Sequence, residues 1–135
     1  MKRLVAVVFA AVVLGLVPAA LAAGMLSGKY KIKISGDPAL GGALNGTWVI
    51  RFTPGHYKVA HNGKALGHGT DKIRGDRITF SAGAKCSSTG NYKFKKTGKK
   101  LTFTRISDSC VGRRDLLTHG PFHNVVRGPS GYVGA

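Results

Sequence analysis

Between Ser27 and Phe103 apolar and polar side chains alternate with a period of two, and glycine, asparagine or proline breaks the alternation at short intervals. This is the pattern of half-buried strands joined by tight turns. From Ser27 to Ser35, Tyr30, Ile32 and Ile34 share one face while Lys29, Lys31 and Lys33 take the other. Gly36-Asp37-Pro38 ends that strand, and Asp37 before Pro38 predicts a helical turn over Ala39 to Leu44. The clearest stretch runs from Gly46 to His68, three short runs separated by Pro54-Gly55 and Asn62-Gly63. Two-residue turns there pair Phe52 with Tyr57, Ile50 with Val59 and Trp48 with His61. Across the second turn they pair Val59 with Leu66 and Tyr57 with His68. All of these fall on one face, and Thr47, Val49, Arg51, Lys58 and Ala60 fall on the other.

Beyond Leu66, Gly67 and Gly69 disturb the alternation and predict a bulge. The next hairpin, at Gly75-Asp76, pairs Ile73 with Ile78 and Asp71 with Phe80. A change of phase near Gly69 is then required, and either His68 or Asp71 turns outward. Ala82 to Gly90 is a polar loop holding Cys86. A turn at Thr97-Gly98 pairs Phe94 with Leu101 and Tyr92 with Phe103. Ser107 to Leu117 breaks the rhythm as a short helix or turn, and a last strand is expected over Leu117 to Val126. The expected fold is all-β: a single up-and-down antiparallel meander closed into a small barrel of about eight strands with one short helical turn, a two-sheet sandwich being the alternative.

Composition adds an address and a charge. Lys2-Arg3 precede a hydrophobic run from Leu4 to Val17, then Pro18 and Ala20-Leu21-Ala22. This reads as a signal peptide over residues 1–23, cleaved near Ala22 or Ala23, with an uncleaved anchor as the alternative. A barrel domain at 24–126 and a flexible Gly- and Pro-rich tail at 127–135 follow. The expected location is extracellular or in the cell envelope, with no integral span in the mature form. Export makes a Cys86–Cys110 disulfide the expectation, closing a loop of roughly 25 residues for about 3 kcal/mol. The chain carries 21 Lys and Arg against 5 acidic residues, a formal charge of +16 that becomes +14 without Lys2 and Arg3. Such a field attracts an anionic surface or polymer, although cations on the polar face of a strand are also ordinary solvated side chains that guard edges.

At Gly46-Thr47-Trp48 the chain resembles the lipocalin and fatty-acid-binding group, the calycins, whose barrels open with Gly-Xaa-Trp behind a short helical turn. The run from Leu44 to Val59, the later Gly-Asp-Arg-Ile-Thr-Phe and Cys110-Xaa-Xaa-Arg113 look like small secreted bacterial lipocalin-like proteins. The resemblance implies a cup-shaped barrel that binds a small, hydrophobic ligand. It also implies a late arginine packed over the motif tryptophan, with Arg113 or Arg114 as its position and Arg105 as an alternative.

The candidate ligand-binding residues are Trp48, Tyr57, His61, His68, Asp71 and Tyr92. Trp48 reads first as core at the closed end. The other five either form an internally satisfied network or a polar rim, or fix the polar end of a ligand in an apolar pocket. Trp48, Phe52, Tyr57, Phe80, Tyr92, Phe94 and Phe103 all point inward, so a barrel filled by its own side chains is a further reading. His61, His68 and Asp71 could be imagined around a metal, but the spacing of the five histidines is not diagnostic and no metal or cofactor is expected. The chain has no Gly-Xaa-Ser-Xaa-Gly elbow and no Glu, so no enzyme is expected. The aromatics lie opposite the basic face, which argues against specific nucleic-acid binding. The expectation is a secreted monomer binding a small apolar or amphipathic ligand. The alternatives are a cationic protein held by an acidic partner or envelope polymer, and an extracellular protease inhibitor.

Overall fold

The period-two alternation gives every strand one apolar face, and the protein buries those faces by closing the sheet on itself. A computed structural model describes residues 26–125; the expected signal peptide (1–23) and the expected tail (127–135) fall outside the described residues. The strands are β1 (Gly28–Ile34), β2 (Gly46–Thr53), β3 (His56–His61), β4 (Lys64–Arg74), β5 (Arg77–Phe80), β6 (Gly90–Thr97), β7 (Lys100–Ser107) and β8 (Phe122–Asn124). Each pairs antiparallel with the next, and Tyr30 opposite Asn124 joins β1 to β8, closing the barrel. A 3-10 segment, Ala39–Gly42, stands between β1 and β2, and an α-helix, α1 (Val111–Thr118), stands between β7 and β8. No helix among the described residues is long and apolar enough to cross a membrane.

The first hairpin has the expected register: Phe52 faces Tyr57, Ile50 faces Val59 and Trp48 faces His61. The β4–β5 hairpin likewise pairs Ile73 with Ile78 and Asp71 with Phe80. Between β3 and β4 the expected register is wrong. Val59 lies opposite Gly67 and Tyr57 opposite Gly69, while Lys58 meets His68, because a bulge beside Val59 and Ala60 leaves Leu66 without a direct partner. The cause is crowding. A Cβ on Gly67 would stand 2.8 Å from Cα of Ala84, and one on Gly69 would stand 2.6–2.8 Å from the Tyr57 ring and hydroxyl. The bulge presents these bare backbone positions to a folded-back loop and to a tyrosine. The phase change thus comes before His68, so His68 is exposed and Asp71 is buried.

The β6–β7 register also differs. Phe94 faces Phe103 and Thr97 faces Lys100, with Gly98-Lys99 as the loop and Gly98 at φ +59°. Glycine takes that conformation at the loop's first position without strain. Partners move by two residues, which leaves each side chain on its expected face. The region read as a helix or turn, Ser107 to Leu117, contains most of α1. The last strand does not start at Leu117, which α1 takes up and buries, and spans only Phe122–Asn124 after Gly120-Pro121.

Part of the lumen is packed solid. Phe80 sits at the centre of an aromatic cluster, with ring centroids 5.2 Å from Tyr57, 5.9 Å from Tyr92, 6.0 Å from Phe103 and 6.3 Å from Phe52. Three of these four pairs meet edge to face, the arrangement that the ring quadrupoles favour.

Candidate functional site

In an up-and-down barrel alternate connections share one end. The 3-10 segment, the loop between β5 and β6, and α1 therefore gather over the same mouth. Cys86 in that loop and Cys110 at the start of α1 are joined by a disulfide with Cα atoms 5.7 Å apart. Beneath this cap lies a cavity of about 280 Å³. Trp48, Ile50, Tyr57 and Phe80 line it from the strands, Leu44 from the segment before β2, and Leu116 from the helix. The half-exposed Leu40 and the exposed Lys85 stand at its rim.

The wall is apolar, and its two prominent polar side chains are already engaged. Tyr57 donates its hydroxyl to the Ser81 carbonyl at 3.1 Å. Burial pushes its pKa up, against the opposing pull of Arg113, so the phenol stays neutral. Arg113 donates to Asp108 twice, Nε to Oδ2 at 2.7 Å and Nη2 to Oδ1 at 2.8 Å. Its Nη1 also reaches the Ser81 carbonyl at 3.1 Å, and its Nη2 the Ser88 carbonyl at 2.8 Å. The bonds to Asp108 hold the guanidinium's pKa above its ordinary value despite burial. With four of its five N–H groups occupied and its charge balanced, Arg113 presents little to a ligand.

Asp108 is the hub of this clasp. It accepts from Arg113, from the Tyr92 hydroxyl and from the Cys110 backbone N–H. Burial alone would raise its carboxyl pKa, but those donors, led by Arg113, hold it below the ordinary carboxylate range. Tyr92 is pushed the other way by burial and by the adjacent carboxylate. The clasp needs bare backbone at Gly90, where a Cβ would stand 2.5 Å from Asp108 Oδ2 and 2.9 Å from Arg113 Nε. It links β6, the β5–β6 loop and α1, holding the cap down.

The six sequence candidates separate. Trp48 and Tyr57 line the cavity. His61 stacks on the Trp48 ring at 3.9 Å, with planes 9° apart, and its Nε2–H donates to the Asn45 carbonyl at 2.8 Å. The Trp48 indole N–H donates to the Leu44 carbonyl at 2.8 Å. A histidine thus covers the motif tryptophan, while Arg113 is held by Asp108. Tyr92 belongs to the clasp, His68 points outside, and Asp71 is buried away from the cavity with no hydrogen-bond partner at Oδ2 among the described residues. His61, His68 and Asp71 are therefore not brought together, and no group of three potential metal ligands occurs among the described residues.

The expected disulfide does tie the loop between β5 and β6 to the start of α1, but sequence reasoning missed Asp108 and Leu116 as parts of this end. The available signal was Asp108 two residues before Cys110, a spacing at which an aspartate caps a following backbone N–H. No protein family, curated protein or solved structure matches the chain.

Proposed function

We propose that this protein is a lipocalin-like carrier that holds a small, neutral, apolar molecule in the capped end of its barrel. The observation that carries the reading is the cavity of about 280 Å³ between Trp48 and α1. Filling that volume with aromatic side chains would have been an easy route to greater stability. It is about twice the roughly 150 Å³ of an apolar cavity known to take up benzene. A ligand of about a dozen non-hydrogen atoms suits it, below the size of most drug-like molecules. Tyr57 and Arg113 are tied to Ser81 and Asp108, so an anionic head group would have to compete with a formed ion pair. A neutral ligand does not.

Native mass spectrometry of the protein purified from cells and exposed to neutral apolar molecules tests the reading. One bound molecule per chain is expected in the wild type and none in Leu66→Phe, which fills the cavity from β4. Equal occupancy of both proteins, or empty protein throughout, would refute it.

A further inference from the structure

The outer face of the barrel holds a second arrangement that the cavity does not use. Pairing across β1 to β4 places Lys29 opposite Arg51, Arg51 opposite Lys58 and Lys58 opposite His68. Four basic side chains therefore form one row perpendicular to the strands. Directly opposed side chains on neighbouring strands lie about 5 Å apart at Cβ, where like charges repel. None of the acidic residues relieves the row. Asp108, Asp115 and Asp37 are paired with Arg113, Arg114 and His119, Asp71 is buried inside, and Asp76 sits in the β4–β5 turn. His68 joins the row only because the bulge turned it outward.

The row borders a hollow of about 490 Å³ whose floor includes Val49, Ala60 and Ala65. Small side chains make up much of the floor, and Lys29, Arg51, Lys58 and His68 line it with them. A second basic set, Arg74, Arg77 and Lys93, is aligned across β4 to β6, but does not border this hollow.

We infer that this hollow is a binding site for an acidic polysaccharide laid across the strands. A pyranose ring advances its chain by a length close to the roughly 4.8 Å between neighbouring strands. Successive carboxylate or sulfate groups can then meet successive members of the row. A bilayer fits less well, because its flat surface cannot enter a recess and none of the exposed large apolar side chains among the described residues (Leu40, Ile106, Val111 and Val125) lines the hollow. A nucleic acid would find no exposed aromatic platform among the described residues on which to stack its bases.

The test is binding of a heparin oligosaccharide across a salt series, for the wild type, for Lys29→Gln/Lys58→Gln, and for Lys72→Gln/Lys95→Gln. The last pair changes net charge equally but lies opposite threonines. The row variant is expected to bind about tenfold more weakly at low salt and to lose about two from the log–log salt slope, one for each lysine removed. The control is expected to stay within about twofold of wild type, the size of a diffuse field effect. Relief of repulsion should also raise the melting temperature of the row variant at low salt. Equal weakening of both variants would show diffuse attraction and overturn the site. So would binding confined to phosphatidylglycerol vesicles or to inorganic polyphosphate.

Discussion

Arg113 grips Asp108 at two points, 2.7 Å from Nε to Oδ2 and 2.8 Å from Nη2 to Oδ1, with the aspartate side chain wholly buried. Breaking such a pair on one side leaves an uncompensated buried charge. Asp108→Asn should cost about 3–5 kcal/mol, seen as a lower urea midpoint with the disulfide intact. A loss below about 1 kcal/mol, the range of surface ion pairs, would show that the clasp is only decorative.

The two buried aspartates should respond to pH in opposite senses. Asp108 has a folded pKa below its unfolded value, so its stabilisation is present above the ordinary carboxylate range and is lost as pH falls through the folded value. Asp71 is raised, chiefly by burial and against a smaller opposing effect of His56. Its contribution is full below the unfolded pKa and is lost as pH rises through the folded one. Asp71→Asn should therefore stabilise the protein near neutral pH by on the order of 1 kcal/mol. Thermal melts should show that gain shrinking towards about pH 3, where the wild-type carboxyl is itself protonated. A gain that does not change with pH would contradict the assignment.

Cys86 and Cys110 both line the cavity, so their bond fastens the cap as well as the chain. The double variant Cys86→Ser/Cys110→Ser should lose about 3 kcal/mol by the loop-entropy argument. It should also bind apolar ligand more weakly under conditions where it remains folded. Lost stability with unchanged affinity would separate the disulfide from the site.

Much of the barrel could be read from the sequence because its strands obey a local rule. The pairings Trp48–His61 and Ile73–Ile78 need only period two and a two-residue turn. His68 could not be placed that way. Its orientation depends on Ala84 and Tyr57 closing on Gly67 and Gly69, contacts between segments distant in sequence. The clasp was hidden for the same reason: Tyr92, Asp108 and Arg113 come from a strand, a loop and a helix, and only folding brings them to Gly90. Of the candidate site, the sequence revealed Trp48 and Tyr57, which stand on strands of known parity. It tied the loop between β5 and β6 to α1 through Cys86 and Cys110, but did not reveal how the cap packs over the cavity, which follows no period.

Trp48 is the only tryptophan in the chain and lies in the cavity wall, so its emission reports directly on what the cavity holds. The decisive measurement is a titration of Trp48 fluorescence with 1-octanol and, separately, with octanoate, in wild-type protein and in Leu66→Phe. A saturable change with the neutral alcohol is predicted in the wild type, weaker with the anion and absent in the filled variant. No saturable change in the wild type, the same change in Leu66→Phe, or tighter binding of octanoate would contradict a cavity that holds a neutral apolar ligand.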